Sequence, residues 1–173
     1  MSQKDEVYSK IYNDYYKRVF SFLHKLCRDY DTAADLTQET FFQAFRSFGS
    51  FSGKSDMFTW LAAIAKHCYY KYLRKSGRDY TYAGADYLVD MYFDRNDTDP
   101  ETEYIKSEMK AAVQKTVKKL PSKYRDVIVL RIYADLSFKQ VGEALGISEN
   151  SAKVIYFRAK NKVKEELKNE YSL

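Results

Sequence analysis

Apolar residues return along this chain at three- and four-residue steps, the spacing that lines one face of a helix. Val7, Ile11, Tyr15, Val19, Phe22 and Leu26 make the first such stripe. Leu36, Thr37, Phe41, Ala44, Phe45 and Phe48 make the second, with Asp31 placed to cap its start and Gly49 to end it. The loop Phe51-Ser-Gly-Lys-Ser55 leads into a third helix, with Ser55 as its cap and Phe58, Leu61, Ala65, Cys68 and Tyr72 on the buried side. Further on, Ile105, Met109, Ala112, Val113, Thr116, Val117 and Leu120 mark another helix, stopped by Pro121. Tyr124 to Tyr133 forms the next around Val127, Leu130 and Ile132, and the tail from Ser137 to Leu167 divides into two helices at Gly146-Ile147-Ser148. With 6 glycines and 2 prolines, the chain has few turn-formers for a protein of many short strands. The expected fold is all-α.

Charge changes the picture from one domain to two. Residues 1 to 78 carry 13 basic and 8 acidic side chains, residues 79 to 104 carry 1 and 8, and residues 105 to 173 carry 15 and 8. The middle stretch holds Gly84 and Pro100, lacks helical periodicity and reads as a linker. Two small helical domains, 1–78 and 105–173, are therefore expected on either side of an acidic flexible linker, 79–104. The linker's apolar island, Tyr87 to Phe93, is too hydrophobic for an inert spacer and is expected to dock. A net charge of +5 suits polyanionic partners.

Several chemistries are set aside on spacing. The longest apolar run, Trp60 to Ala65, is far short of the roughly 18 residues of a membrane span, and Met1 to Tyr16 has no secretory apolar region, so the chain is expected in the cytoplasm. Gly53-Lys54-Ser55 has Phe48 where a phosphate-binding loop needs its first glycine, and a helix where it needs a strand. His24, Cys27, His67 and Cys68 match no ordinary zinc spacing, and two histidines build no convincing catalytic constellation. No enzyme activity, metal or cofactor is expected.

Two binding signatures remain. Leu136 to Lys153 meets the demands of a helix-turn-helix: Val141, Ala144 and Leu145 face inward, Gly142 allows close packing, Gly146 permits the turn, and Ser148 caps the second helix. Ala152, Tyr156, Ala159 and Val163 continue its apolar seam, leaving Asn150, Lys153, Arg158 and Lys160 on the open face. On the third helix, His67, Tyr70, Lys71, Arg74, Lys75 and Arg78 share an outer stripe of cations and aromatics. Cations follow phosphates while rings stack on unpaired bases, so the stripe suits single-stranded or melted nucleic acid. Both signatures fit a polymerase-independent helix-turn-helix regulator, which would bind a palindrome as a dimer. The stripes also fit a helical adaptor whose basic faces serve solubility.

In order, Asp31-Thr-Ala-Ala-Asp-Leu-Thr-Gln-Glu-Thr-Phe41, Phe51-Ser-Gly-Lys-Ser-Asp-Met-Phe-Thr-Trp-Leu61 with Ile64-Ala65, Leu120-Pro-Ser-Lys-Tyr-Arg125 and the helix-turn-helix resemble an extracytoplasmic-function (ECF) sigma factor of bacterial RNA polymerase. The resemblance spans nearly the whole chain. It implies a first domain, region two, that binds the polymerase clamp helices and the minus-10 promoter element, and a second, region four, that binds the polymerase flap and the minus-35 element. By position, Asp35, Gln38 and Glu39 match the clamp-binding string, and Ser52, Gly53, Lys54 and Ser55 match the loop that receives an unpaired base. His67 stands where many members have Asn. Lys153 and Arg158 match basic positions of the recognition helix, while Val154 and Ile155 replace the frequent Ser and Arg, so readout there is expected to lean on thymine methyl groups or DNA shape. The implied partners are core RNA polymerase, promoter DNA and an anti-sigma factor, for which Tyr69, Tyr70 and Phe157 are the expected exposed anchors.

Overall fold

The computed structural model describes residues 2–77, 89 and 99–171. Among the described residues seven α-helices can be followed from end to end and no strand occurs: α1 Gln3–Cys27, α2 Tyr30–Arg46, α3 Met57–Lys75, α4 Pro100–Lys119, α5 Ser122–Ile128, α6 Phe138–Leu145 and α7 Glu149–Tyr171. A 3₁₀ turn, Phe48–Ser50, follows α2. A wide π turn, Val129–Tyr133, finishes α5 where the periodicity predicts an α-helix running on to Tyr133.

The helices begin where side chains satisfy their free N–H groups. Ser2 and Asp5 form a reciprocal capping box at α1. Asp29 caps α2 by accepting from the Thr32 N–H at 2.9 Å, and Asp56 caps α3 by accepting from the Thr59 N–H at 2.9 Å. The caps therefore sit at Asp29 and Asp56 rather than at the predicted Asp31 and Ser55, because in each case it is the carboxylate three residues before the first threonine that reaches its N–H. Helix α4 starts five residues before the predicted Ile105. Pro100 stands at its first turn with Glu101 and Glu103, all three favoured at a helix N-terminus, so charges read as linker are helix-starting residues.

Helices α1 to α3 form one unit around Val19, Phe22, Leu23, Leu26, Phe41, Phe58, Leu61 and Tyr69. Val7, predicted on the buried face of α1, is instead 43% exposed, because in the first turns it is the adjacent Tyr8 that turns inward, stacking on Phe45 at 4.3 Å. Thr37 and Thr40 are fully buried, their hydroxyls donating to the Ala33 and Leu36 carbonyls one turn back. Helices α4 to α7 form the second unit, with Met109, Val113, Val117, Ile128, Ala159, Val163 and Leu167 at its centre. Val89, from the apolar island of the acidic stretch, is buried in that second core. The rest of the island and the linker up to residue 98 lie outside the described residues.

The units also pack on each other. Val127, Val129, Leu130, Tyr133, Leu136, Val141 and Ala152 belong to the same apolar cluster as the core of α1 to α3. Through it, α3 lies against α6 and the π turn.

Candidate nucleic-acid and polymerase interfaces

The face of α2 turned from the core is a straight line of exposed residues. Asp31, Asp35, Gln38, Phe42 and Arg46 recur at four-, three-, four- and four-residue steps, all exposed, while Ala33, Leu36, Thr37, Thr40, Phe41 and Ala44 face inward. Glu39 is half-buried beside the line and accepts a hydrogen bond from the Gln43 amide at 2.7 Å. Asp35, Gln38 and Glu39 are thus brought onto one side. Phe42 is 56% exposed in their midst, with the Arg46 guanidinium 5.7 Å from its ring centre. Sequence reasoning passed over Phe42. The signal was the doublet Phe41-Phe42, since adjacent helical residues are about 100° apart and only one ring of such a pair can point into the core.

The segment between α2 and α3 is a loop on an aromatic floor. Phe51 and Trp60 lie 5.0 Å apart and Phe48 packs edge-on to Trp60 at 6.2 Å. Above them Ser52, Gly53 and Lys54 are exposed and Ser55 is half-buried. Gly53 holds φ +70°, and no atom lies within 4 Å of the place a Cβ would occupy. The backbone there is open to close approach by a planar ligand. Asp56 closes the loop. Partial burial works against its carboxylate, but hydrogen bonds from the Thr59 N–H and hydroxyl and from the Gln140 amide outweigh that and hold its pKa below the ordinary 3.8.

Along α3, His67, Lys71, Arg74 and Lys75 are exposed, as the outer stripe requires. Withdrawal of water by neighbouring groups, followed by the Lys66 charge, lowers the His67 pKa, so the ring is neutral at pH 7. Tyr70 departs from the prediction. Its ring is half-buried under the second unit and its hydroxyl donates to Asp126 Oδ1 at 3.0 Å, and burial followed by the Asp126 charge pushes the phenol far above its usual range. Tyr69 is a core residue, 1% exposed, with its hydroxyl bonded to the Leu26 carbonyl at 3.3 Å, so it offers no anchor to a partner. The reason is rotation: Tyr69 lies one turn from Ala65 and Leu73, both on the buried stripe. Arg78 lies outside the described residues. Lys66, unremarked in the sequence, is 3% exposed and pairs with Asp126 Oδ2 at 3.2 Å. A pairing of residues so far apart in the chain leaves no local pattern to read.

The helix-turn-helix is α6 and α7. Ser137 and Gln140 form a capping box, Gly146 ends α6 with φ +66°, and Ser148 accepts from the Ser151 N–H at 3.0 Å to start α7. A Cβ on Gly142 would stand 2.6 Å from the Ile147 carbonyl oxygen, so the absent side chain is what lets the turn close. Ala152, Ala159, Val163 and Leu167 are buried, with Tyr156 half-buried along the same seam. Asn150, Lys153, Val154, Phe157 and Arg158 are all exposed, a spacing that gathers them on one open face. Lys153 makes an exposed ion pair with Glu149 at 3.4 Å, a contact worth little and easily exchanged for a phosphate. Phe157 is 53% exposed beside Tyr156, with the Lys160 ammonium near both rings. Among the described residues no group of three His, Cys, Asp or Glu side chains could hold a metal ion.

A three-helix unit with an exposed polar line and an open loop beside aromatic rings, followed by a four-helix unit ending in a helix-turn-helix, has the form of a two-module DNA-binding protein. Comparison with known proteins narrows the class. The family description Sigma-70 region 2 matches residues 11–79, and Sigma-70, region 4 matches residues 110–163. The RNA polymerase sigma factor YlaC of Bacillus subtilis is 27% identical over 168 residues, 96% of this chain and 95% of that protein. The ECF RNA polymerase sigma-E factor of Haemophilus influenzae is 32% identical over 139 residues, 77% of this chain and 73% of that protein. The chain belongs to the ECF family of RNA polymerase sigma factors. Two solved structures share its fold. The sigma factor RpoE in complex with the anti-sigma factor NepR from Bartonella quintana superposes with TM-score 0.54 at 20% identity, covering 94% of this chain and 98% of that one. CnrH in complex with the cytosolic domain of CnrY gives TM-score 0.58 at 16% identity, covering 95% and 90%.

Proposed function

We propose that this sigma factor docks on core polymerase through the α2 line, with Asp35, Gln38 and Glu39 as the polar contacts and Phe42 as their apolar centre. The loop Ser52 to Ser55 takes an unpaired minus-10 base over the Phe51 and Trp60 floor, and His67, Tyr70, Lys71, Arg74, Lys75 and Arg78 follow the melted strand. Asn150, Lys153, Val154 and Arg158 enter the minus-35 major groove, where Val154 offers an apolar contact to thymine methyl groups. The acidic stretch between the modules, one basic against 8 acidic side chains over residues 79–104, suits the positive channels of polymerase. The chain itself breaks no covalent bond. It works in the cytoplasm beside polymerase, and an anti-sigma factor restrains it by covering Phe157 and the cationic faces.

The observation that carries this reading is the presence, in one chain, of two exposed faces of different kinds: an open backbone loop beside aromatic rings, suited to a flipped base, and a basic helix face suited to a duplex. A promoter-dependent transcription assay with purified core polymerase tests it. Replacing Asp35, Gln38 and Glu39 together by Ala is expected to abolish polymerase binding with the helical signal intact. Full polymerase binding by that variant overturns the docking assignment. Ala in place of Lys153 or Arg158 separates phosphate from base contacts, since a lost phosphate contact lowers the salt slope by about one and a lost base contact costs about 1–3 kcal/mol at a single base pair.

A further inference from the structure

The π turn that finishes α5 leads into a tight reversal before α6. Asp135 takes φ +55°, a left-handed backbone that few residues other than glycine adopt, and the Leu136 N–H donates to the Leu130 carbonyl at 3.2 Å. Arg131, half-buried in the π turn, holds this reversal from the side. Its Nη1 donates to the Leu136 carbonyl at 2.7 Å, and its guanidinium carbon stands 4.6 Å from the centre of the Phe138 ring, in the first turn of α6.

The contact continues into the recognition helix. Phe138 meets Tyr156 edge-on at 5.4 Å and Phe157 at 6.2 Å, those two rings meet each other at 5.5 Å, and the Lys160 ammonium stands 5.5 Å and 6.0 Å from their centres. A guanidinium, three rings and an ammonium thus run in contact from the π turn, across the start of α6, to the second and third turns of α7. Elsewhere the helix-turn-helix closes on small buried groups, among them Val141, Gly142 and Ala152. Small aliphatic groups let helices approach but resist sliding weakly, whereas ring–ring and cation–ring contacts favour particular distances and tilts. Phe157, 53% exposed, belongs both to this stack and to the open face that carries Val154 and Arg158. Contacts to base edges tolerate a misplacement of only about 0.5 Å, so the setting of α7 decides how well that face reads a sequence.

We infer that Arg131 is a positioning residue for minus-35 readout: it touches no DNA itself, and through Phe138 and Phe157 it sets the angle at which α7 enters the major groove. This rests on the sigma-factor reading above. Loss of the guanidinium weakens sequence-specific binding and leaves the phosphate contacts, which tolerate a tilted helix, as they are.

The test uses the full chain. Arg131→Met keeps an unbranched apolar chain beside Phe138 and loses the charge and the N–H donor. Without polymerase, it is expected to shift the NMR signals of the Phe138, Tyr156 and Phe157 rings and to leave those of Phe22 and Phe41 in place. With core polymerase, the probes are promoter duplexes selected from a random pool by the parent chain, and the same duplexes with the minus-35 segment scrambled. The variant is expected to bind the selected duplexes about tenfold less well and the scrambled ones as the parent does, with the same dependence on salt. Combined with Phe157→Ala, it is expected to cost little beyond Phe157→Ala alone, because both act through one stack. A salt slope lowered by about one makes Arg131 a phosphate ligand and overturns the positioning role. So do unmoved ring signals, an equal loss on scrambled duplexes, no loss on selected ones, or losses that multiply with Phe157→Ala. Should the Met variant lose helicity, Arg131→Lys, which keeps a cation over the ring, must show a loss of about threefold with the same unmoved slope and the same coupling. If the parent chain with core polymerase selects no promoter sequence, the sigma-factor reading fails and the role at minus-35 with it. The ring signals, recorded without polymerase, show separately whether Arg131 holds the stack.

Discussion

The first unit is built from rings and the second from small aliphatic side chains. Phe22, Phe41, Phe58 and Tyr69 are each at most 2% exposed at the centre of α1 to α3, and the stacking continues outward through Tyr12 on Phe41 and Tyr8 on Phe45. The second core is Met109, Ala112, Val113, Val117, Ile128, Ala159 and Val163, with Tyr124 only at its edge. Three helices enclose little space, and large rings fill it with few residues. A helix-turn-helix needs helices in close approach, which small residues and Gly142 provide. The division costs the second unit independence. Val127, Leu130, Leu136 and Val141 belong to the same apolar cluster as the core of α1 to α3, so part of its apolar surface is shared with the first unit.

The asymmetry is tested most strongly by emptying each core. Phe58 is 1% exposed and lies beneath the Arg18 guanidinium at 3.7 Å, so Phe58→Ala is expected to cost about 3–5 kcal/mol and to loosen both units. Met109→Ala is expected to cost about 2–5 kcal/mol and to loosen α4 to α7 alone. Urea unfolding gives the totals, and amide exchange resolved by helix gives the distribution. If Phe58→Ala leaves exchange in α5 and α6 untouched, the second unit does not lean on the first.

The next effect is confined to the recognition module. Gly142→Ala places a methyl group 2.6 Å from the Ile147 carbonyl oxygen, a backbone atom that can move only by reopening the turn. The expected cost is about 1–3 kcal/mol, with loss of minus-35 binding and retention of polymerase docking through α2. A fully stable variant that binds minus-35 DNA as the parent does shows that the turn has a second geometry.

Where structure is local, the sequence was legible. The apolar stripes of α2, α3 and α7 and the caps of the helix-turn-helix follow from spacing, because a helix repeats its faces every three or four residues, whereas Asp35, Gln38 and Glu39 stand out only through the family resemblance. Errors of one or two residues fell at the caps, where Asp29 and Asp31, or Ser55 and Asp56, compete and only geometry chooses. The sequence presents Tyr69 and Tyr70 as exposed because both sit next to cations. Tyr69 faces the Leu26 carbonyl, and Tyr70 faces Asp126, which belongs to another helix. No periodicity encodes a contact between modules, so Lys66, Gln140 and the shared cluster were invisible until the helices were assembled.

The smallest expected effect separates the units by their caps. The first unit starts α3 with a carboxylate, Asp56, and the second starts α6 and α7 with the hydroxyls of Ser137 and Ser148. Only the carboxylate titrates. Because the folded protein holds the Asp56 pKa below the unfolded value of 3.8, its contribution is fully present above that value and disappears as pH falls through the lower, folded pKa. Acidification from pH 5 towards pH 3 is therefore expected to weaken the start of α3, and the Gln140 contact with it, by an amount no larger than the roughly 1 kcal/mol of a typical cap, while the starts of α6 and α7 keep their exchange protection. Asp56→Asn supplies the control. Asn caps a helix about as well as Asp and carries no proton to lose, but its NH2 group stands where Oδ2 accepts from the Gln140 amide, so the variant is expected to keep the start of α3 at pH 7 without the Gln140 contact and to show a flatter stability profile below pH 4. An acid profile at α3 that survives this substitution assigns the loss to other carboxylates and removes the distinction between the two kinds of cap.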